Sequence, residues 1–246
     1  MEISIIESDI IWEDINQNLS NFGEKILSLS RKDLIILPEM FSTGFTMNTS
    51  LAEPMNGRTF NWLKLISGLA KSVICGSYIV EENGKFYNRL IWMRPDGTFE
   101  YYDKKHLFTM SGEDVNYTSG DKKLIVELMG MKICPLICYD LRFPNWSMNK
   151  MIDGKYEYDI LIYISSWPIK RIDTWNTLLP ARAIENQSYV IGVNRIGIDG
   201  NDNSYCGDSA IYDFNGLKLN GLNMTIDFIK LIEYRNSFPV GMDWNK

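Results

Sequence analysis

The sequence predicts an α/β fold of two sheets with helices packed outside them. Three observations lead there. Short β-rich runs alternate with amphipathic helical stretches along the chain. The strand count exceeds what one open sheet usually holds. At 246 residues, 45% hydrophobic and 23% charged, the chain has enough apolar surface to bury several sheet faces. One domain over residues 1–246 is expected, with no linker, repeat or low-complexity stretch.

The elements follow in order. Strands are predicted at Ile3 to Glu7, Leu34 to Leu37, Val73 to Val80 and Arg89 to Met93. Further strands fall at Leu124 to Leu128, Lys132 to Ile137, Ile160 to Ile164, Tyr189 to Val193 and Ser209 to Tyr212. Helices are predicted near Glu13 to Ser30, Arg58 to Lys71, Trp146 to Ile152 and Asp173 to Asn186. Asp173 would cap the last of these. Gly84, Gly97 and Gly130 mark turns. Pro135 lies inside a strand, so a bulge or an unpaired position is expected there.

Several functions are excluded early. A net charge of −6 argues against nucleic acid and against an anionic membrane as partners. No apolar run is long enough to span a bilayer. The N-terminal Met1-Glu-Ile-Ser-Ile-Ile6 reads as a strand rather than a secretory leader. The four cysteines, at 75, 134, 138 and 206, form no disulfide framework, which points to a reduced, cytoplasmic setting. With His106 the only histidine and no Cys-x-x-Cys, zinc sites built from these residues are not expected. Phosphate-binding glycine loops are absent. Any chemistry is expected to need no cofactor and no metal.

Three residues at strand ends carry that chemistry. Cys138 closes the apolar run Met131-Lys-Ile-Cys-Pro-Leu-Ile137 and opens Cys138-Tyr-Asp-Leu-Arg-Phe-Pro144. A strand that turns toward a helix there holds a thiol near backbone N–H groups, which favour a thiolate or an oxyanion. Glu39 follows Ile35-Ile-Leu-Pro38. Lys104 lies in Tyr101-Tyr-Asp-Lys-Lys-His-Leu-Phe108. Together they supply a nucleophile, a base and an oxyanion partner. Cys75 and Cys134 read as core.

These segments resemble the carbon–nitrogen hydrolase (nitrilase-like) superfamily, whose catalytic set is Glu-Lys-Cys. Other stretches match in order: Tyr139-Asp-Leu-Arg-Phe-Pro-Asn-Trp146, Ser166-Trp-Pro168, Ala181-Arg-Ala-Ile-Glu-Asn-Gln187, Asn194-Arg-Ile-Gly197 and Tyr205-Cys-Gly-Asp-Ser209. The resemblance is nearest to the omega-amidase branch, which cleaves 2-oxoglutaramate. It implies a four-layer αββα sandwich and selects Lys104 over Lys105. It implies Glu39, Lys104 and Cys138 as the catalytic residues, with the backbone N–H of Tyr139 completing the oxyanion site. Glu113, in Ser111-Gly-Glu-Asp114, is a supporting candidate that orients the lysine or the substrate. His106 is expected to be a hydrogen-bonded support.

For the substrate, Phe41, Phe45, Tyr139, Phe143 and Trp167 adjoin the strand ends and would line a tight apolar pocket. A substrate carboxylate would need a bidentate donor, with Arg142 first and Arg171 second. Arg182 is expected to be structural, bound to Glu185 or a nearby loop. The implied reaction is hydrolysis of the terminal amide of a small dicarboxylic acid monoamide through a cysteine thioester. Hydrolysis of another linear amide, an N-carbamoyl amine or a nitrile is the enzymatic alternative. A silent binding protein would lack a triad member, and all three are present. Tyr234-Arg-Asn-Ser-Phe-Pro-Val-Gly-Met-Asp243 resembles the family's closing segment, and a homodimer is expected.

Overall fold

Two six-stranded sheets lie face to face between helices. The computed structural model of the protein describes residues 1–244. The first half of the chain runs β1 (Glu2–Ile5), α1 (Ile15–Leu27), β2 (Leu34–Ile36), α2 (Arg58–Ala70), β3 (Val73–Glu82), β4 (Lys85–Met93), β5 (Phe99–Asp103) and α3 (Glu113–Asn116). Next come β6 (Val126–Leu128), β7 (Met131–Ile137), α4 (Pro144–Ser147), β8 (Met151–Ile152), β9 (Lys155–Tyr156), β10 (Ile160–Ser165) and α5 (Ile172–Asn186). The chain continues through β11 (Tyr189–Asn194), β12 (Ile196–Ile198), β13 (Ser204–Cys206), β14 (Ala210–Tyr212), β15 (Lys218–Leu219), β16 (Asn223–Thr225) and α6 (Phe228–Ser237).

The first sheet has the order β16-β1-β2-β3-β4-β5 and the second β15-β14-β11-β10-β7-β6. β1, β2 and β3 are mutually parallel, as are β7, β10 and β11. Strands buried on both faces read as nearly continuous apolar runs, as β2 and β10 do. Leu34, Ile36, Val73, Cys75, Leu90 and Trp92 face the core between the sheets. Their neighbours Ile35, Leu37, Ile74, Ile91 and Met93 face α1 and α2. On the other side, Trp175, Leu179 and Ala183 of α5 cover the second sheet. This is the expected four-layer αββα sandwich.

Several sequence expectations are corrected at the level of elements. Helix α1 starts two residues late because Glu13 has φ +56°, and Asp14 caps it by accepting from the Gln17 N–H. The helix expected over Trp146 to Ile152 is only Pro144–Ser147, and Met151–Ile152 turns into a small hairpin with β9. Asp173 is not a cap: Arg171 precedes α5 and Asp173 sits in its first turn. Strands β5 and β16 and helix α6 had no counterpart in the sequence reading. At Pro135 the ladder with β10 runs without a bulge. The ladder with β6 ends at Ile133, which leaves Pro135 unpaired on that side. Asn83-Gly84 and Met129-Gly130, all with positive φ, make two-residue hairpin turns.

Candidate active site

Strand ends gather the chemistry. β2, β7, β10 and β11 present their C-terminal ends on one side of the sandwich. β5 joins them because two antiparallel steps from β3 restore its direction. In α/β sheets this is where ligands bind. Glu39 follows β2, Lys104 follows β5, Cys138 follows β7 and Ser166 follows β10.

Cys138 has φ +45°, an uncommon conformation for a residue with a side chain. The chain leaves β7, turns sharply there and enters a short 3-10 helix over Cys138–Arg142. The turn lifts the sulfur out of the sheet into the cleft, where it is half-buried. Cys138 lies close enough to Glu39 and Lys104 for both charges to act on its thiol, and the neighbouring Ser166 N–H donates to Glu39 Oε2 at 2.9 Å.

Glu39, Lys104 and Glu113 are all buried. Lys104 Nζ donates to Glu39 Oε1 at 2.8 Å and to Glu113 Oε2 at 2.9 Å and Oε1 at 3.0 Å. Asn88 Nδ2 bridges the two carboxylates, donating to Glu39 Oε1 at 2.9 Å and Glu113 Oε1 at 3.3 Å. Glu39 Oε2 accepts from the Ser166 N–H at 2.9 Å. Glu113 Oε2 accepts from the Phe108 N–H at 2.6 Å. Glu113 therefore belongs to the buried cluster and is not a surface charge.

The charges explain the protonation states. Burial alone would lower the Lys104 pKa, but Glu113, then Glu39, hold the ammonium above the ordinary lysine range. Burial pushes Glu113 above the usual carboxylate range; Lys104 opposes that shift and Glu39 adds to it. Burial, followed by the Glu39 charge, also pushes the Cys138 thiol well above its ordinary value, against the pull of Lys104. Burial and the neighbouring negative charge thus both favour the protonated sulfur.

A cleft of about 660 Å³ opens above this cluster. Phe45, Phe108, Tyr139 and Trp167 line it, together with Arg142, Lys170 and Arg171. The Phe45 ring lies 5.0 Å from Lys104 Nζ. Arg142 stacks over Trp167 at 5.0 Å and Arg171 over Phe108 at 5.1 Å. Neither guanidinium forms an ion pair among the described residues. Asp199, Asn203 and Tyr205 form another part of the wall, with Tyr205 donating to Asp199 at 2.7 Å. No group of three or more His, Cys, Asp or Glu among the described residues is placed to hold a metal.

Comparison with known proteins agrees with this geometry. The family model described as carbon-nitrogen hydrolase matches residues 3–224. The chain belongs to the carbon–nitrogen hydrolase family. It is 36% identical to the omega-amidase YafV of Escherichia coli, over 99% of this chain and 96% of that protein. It is 32% identical to the 2-oxoglutaramate amidase of Bacillus subtilis, over 99% and 97% of the two chains. A solved carbon–nitrogen hydrolase superfamily protein from Xanthomonas campestris, carrying an arsenic adduct in its active site, superposes with a TM-score of 0.95. That protein is 37% identical, with 99% of this chain and 96% of that one covered. The resemblance read from the sequence is thus borne out.

In this carbon–nitrogen hydrolase, Glu39, Lys104, Cys138 and Glu113 meet in one cluster, and Tyr139, Phe45, Trp167, Arg142 and Arg171 surround the opening above it. Two aromatic expectations are corrected. Phe143 does not line the cleft; its ring stacks on His106 with centroids 3.7 Å apart. Phe41 is buried against Phe22 and Trp62. His106 is a support, with Nδ1 2.7 Å from Asp140 Oδ1. Arg182 is structural as expected, donating to the Leu141 carbonyl at 2.7 Å and to Glu185 at 3.0 Å. The sequence reading missed Asn88, whose only signal was an amide in the strand segment Tyr87-Asn-Arg-Leu90. It also missed the Asp199–Tyr205 wall, a polar loop with no spacing that marks it as part of a cleft.

Proposed function

We propose that this carbon–nitrogen hydrolase is an omega-amidase-like enzyme that hydrolyses the terminal amide of a small dicarboxylic acid monoamide such as 2-oxoglutaramate. The observation that carries this is the meeting of Cys138 and the Glu39–Lys104 ion pair at the floor of one cleft, with Arg142 and Arg171, neither in an ion pair among the described residues, in its wall. The names of its relatives support the same substrate class.

The substrate carboxylate pairs with Arg142 or Arg171 at the cleft wall, which aims the distal amide at the sulfur. Glu39 takes the thiol proton as sulfur attacks the amide carbon. The carbonyl oxygen becomes an oxyanion held by Lys104 and the backbone N–H of Tyr139, near the start of a helical turn where such groups lack intrahelical partners. Glu39 returns its proton to the departing nitrogen, the carbon–nitrogen bond breaks and ammonia leaves. A thioester remains on Cys138. Glu39 next deprotonates a water that attacks the thioester carbon. Collapse of this second tetrahedral adduct breaks the carbon–sulfur bond and releases the acid, and the thiolate recovers its proton from Glu39. A thiol held protonated at rest suits this sequence, because its proton is the one later given to the nitrogen. Glu113 keeps Lys104 charged and aimed throughout.

The enzyme is further proposed to act as a homodimer in the cytoplasm, with no nucleic-acid or membrane partner; among the described residues no helix is long and apolar enough to cross a membrane. Light scattering on the purified protein tests the dimer. The function is tested by ammonia release from 2-oxoglutaramate. The wild type should release ammonia, and Cys138→Ala should lose it by a factor of at least about 10⁴. No release by folded wild-type protein would reject this substrate class and direct attention to carbamoyl amines, nitriles and other amides.

A further inference from the structure

Asp140 is a fully buried carboxylate two residues past Cys138. Its four hydrogen-bonded donors come from both halves of the site. Oδ1 accepts from the His106 backbone N–H at 3.0 Å and from His106 Nδ1 at 2.7 Å. Oδ2 accepts from the Tyr102 hydroxyl at 2.7 Å and from the Ile137 N–H at 3.1 Å. Tyr102 and His106 lie two residues on either side of Lys104. Ile137 and Asp140 bracket Cys138 and its positive φ.

The direction of these bonds is fixed. The Tyr102 oxygen already accepts from the Lys105 N–H at 3.1 Å and from Trp146 Nε1 at 3.0 Å, so its own proton goes to Asp140. Ile137 and His106 each present a backbone N–H that can only donate. Both oxygens of residue 140 must therefore accept. A carboxylate does this, and an amide does not.

We infer that Asp140 is a positioning residue that sets the Lys104 ammonium against the Cys138 sulfur by tying the 102–106 segment to the 137–140 turn. This rests on the reading of Cys138 as nucleophile and Lys104 as oxyanion partner. Asp140 touches neither substrate nor sulfur in this role; it acts through the two segments. Replacing it with Asn turns one oxygen into an NH₂ that confronts a backbone N–H, whichever way the amide is flipped. One segment must then shift. A misplacement of about 1 Å at a reacting pair costs on the order of 100-fold in rate. The part of the cleft wall made by Phe45, Trp167 and Arg171 lies on other segments and keeps its shape.

The test compares Asp140→Asn, His106→Ala, His106→Asn and Cys138→Ala with the wild type on 2-oxoglutaramate, with circular dichroism as the check on folding. Asp140→Asn should lower kcat by about 100-fold and leave KM within about threefold. His106→Ala, which deletes one bond to Oδ1, should lower kcat by about tenfold, and His106→Asn, which keeps a donor near the Nδ1 position, should recover most of that loss. A folded Asp140→Asn with wild-type kcat, or one in which only KM rises, overturns the inference. If Asp140→Asn does not fold, the His106 pair decides, and a wild-type kcat in His106→Ala overturns it. Ammonia release that survives in Cys138→Ala overturns the underlying reading, and this inference with it. Release lost in Cys138→Ala but intact in Asp140→Asn overturns this inference alone.

Discussion

Two carboxylates share one ammonium at the centre of the site, and that ratio governs its chemistry. Glu39 and Glu113 both reach Lys104, and Asn88 donates to both where their like charges would otherwise repel. Glu39 and Cys138 were legible because each follows a strand that the sequence predicts, whereas Lys104, whose strand β5 was not predicted, was legible only through the family resemblance. Asn88 was not legible, because nothing in a single strand says which carboxylates will meet it. Glu113 was visible only as an acid in a polar turn, and its burial is a tertiary fact. The same limit left Arg142 and Arg171 undecided as the carboxylate anchor. The structure sets both in the cleft wall, each stacked on an aromatic face, so a kinetic split is needed to separate them. A hydrogen bond to a charged group contributes about 1.5–3 kcal/mol. Removing the anchoring guanidinium as Arg→Ala should therefore raise KM for 2-oxoglutaramate by about 10- to 100-fold, with a smaller change in kcat. The other Arg→Ala variant should change KM much less. The anchoring variant should also lose the wild type's preference for the monoamide over the corresponding diamide. If neither variant changes KM, the carboxylate is held elsewhere and the proposed pose is wrong.

At the scale of elements, the buried parallel strands were read well and the edges poorly. β7, β10 and β11 are nearly continuous apolar runs because helices and the other sheet cover both their faces. β5 and β16 lie at the two edges of the first sheet, where charged and polar residues hide the pattern. The Trp146 to Ile152 stretch has helical composition, yet the Asn149 side chain bonds the Tyr158 carbonyl and N–H and pulls the segment into a hairpin. The α5–β11 contact has a glycine whose role is steric. A Cβ at Gly192 would lie 2.4 Å from Leu179 Cδ1 and 2.7 Å from Trp175 Cζ2. Its φ lies outside the left-handed region, so backbone strain is not the issue. Gly192→Ala should cost about 1–3 kcal/mol through overpacking. Because α5 also carries Arg182, which holds the Leu141 carbonyl beside the Cys138 turn, activity should fall along with stability. Urea titration and ammonia release on the same preparation check this. A variant with unchanged midpoint would show that α5 moves away freely and is not clamped onto the sheet.

The whole molecule buries many ionisable groups whose charged forms burial disfavours, and this sets its pH limits. Cys75 and Cys134 are fully buried in the core, and burial pushes both thiols well above their ordinary value of 9.0. Burial does the same to the phenols of Tyr158 and Tyr163, and it raises Tyr189 to about 12. All these shifts have one sign. A group whose pKa is raised by folding contributes its full stability below the unfolded value and loses it as pH rises toward the folded value. These groups therefore leave stability flat up to about pH 9, where unfolded thiols begin to ionise, and lower it above that. Lys104, also raised, acts in the same direction but only above the ordinary lysine value of 10.5. Each buried thiol kept protonated costs about 1.4 kcal/mol per pH unit above its ordinary value. Cys75 and Cys134 together should thus remove about 3 kcal/mol of unfolding free energy between pH 8 and pH 10. Urea unfolding under reducing conditions at those two pH values measures it. Cys134→Ala should be less stable at pH 8, from the cavity it leaves, yet show a shallower decline toward pH 10 because one titrating group is gone. An unfolding free energy that does not change between pH 8 and pH 10 would mean that water reaches these thiols, and that the core between the sheets opens more readily than its packing implies.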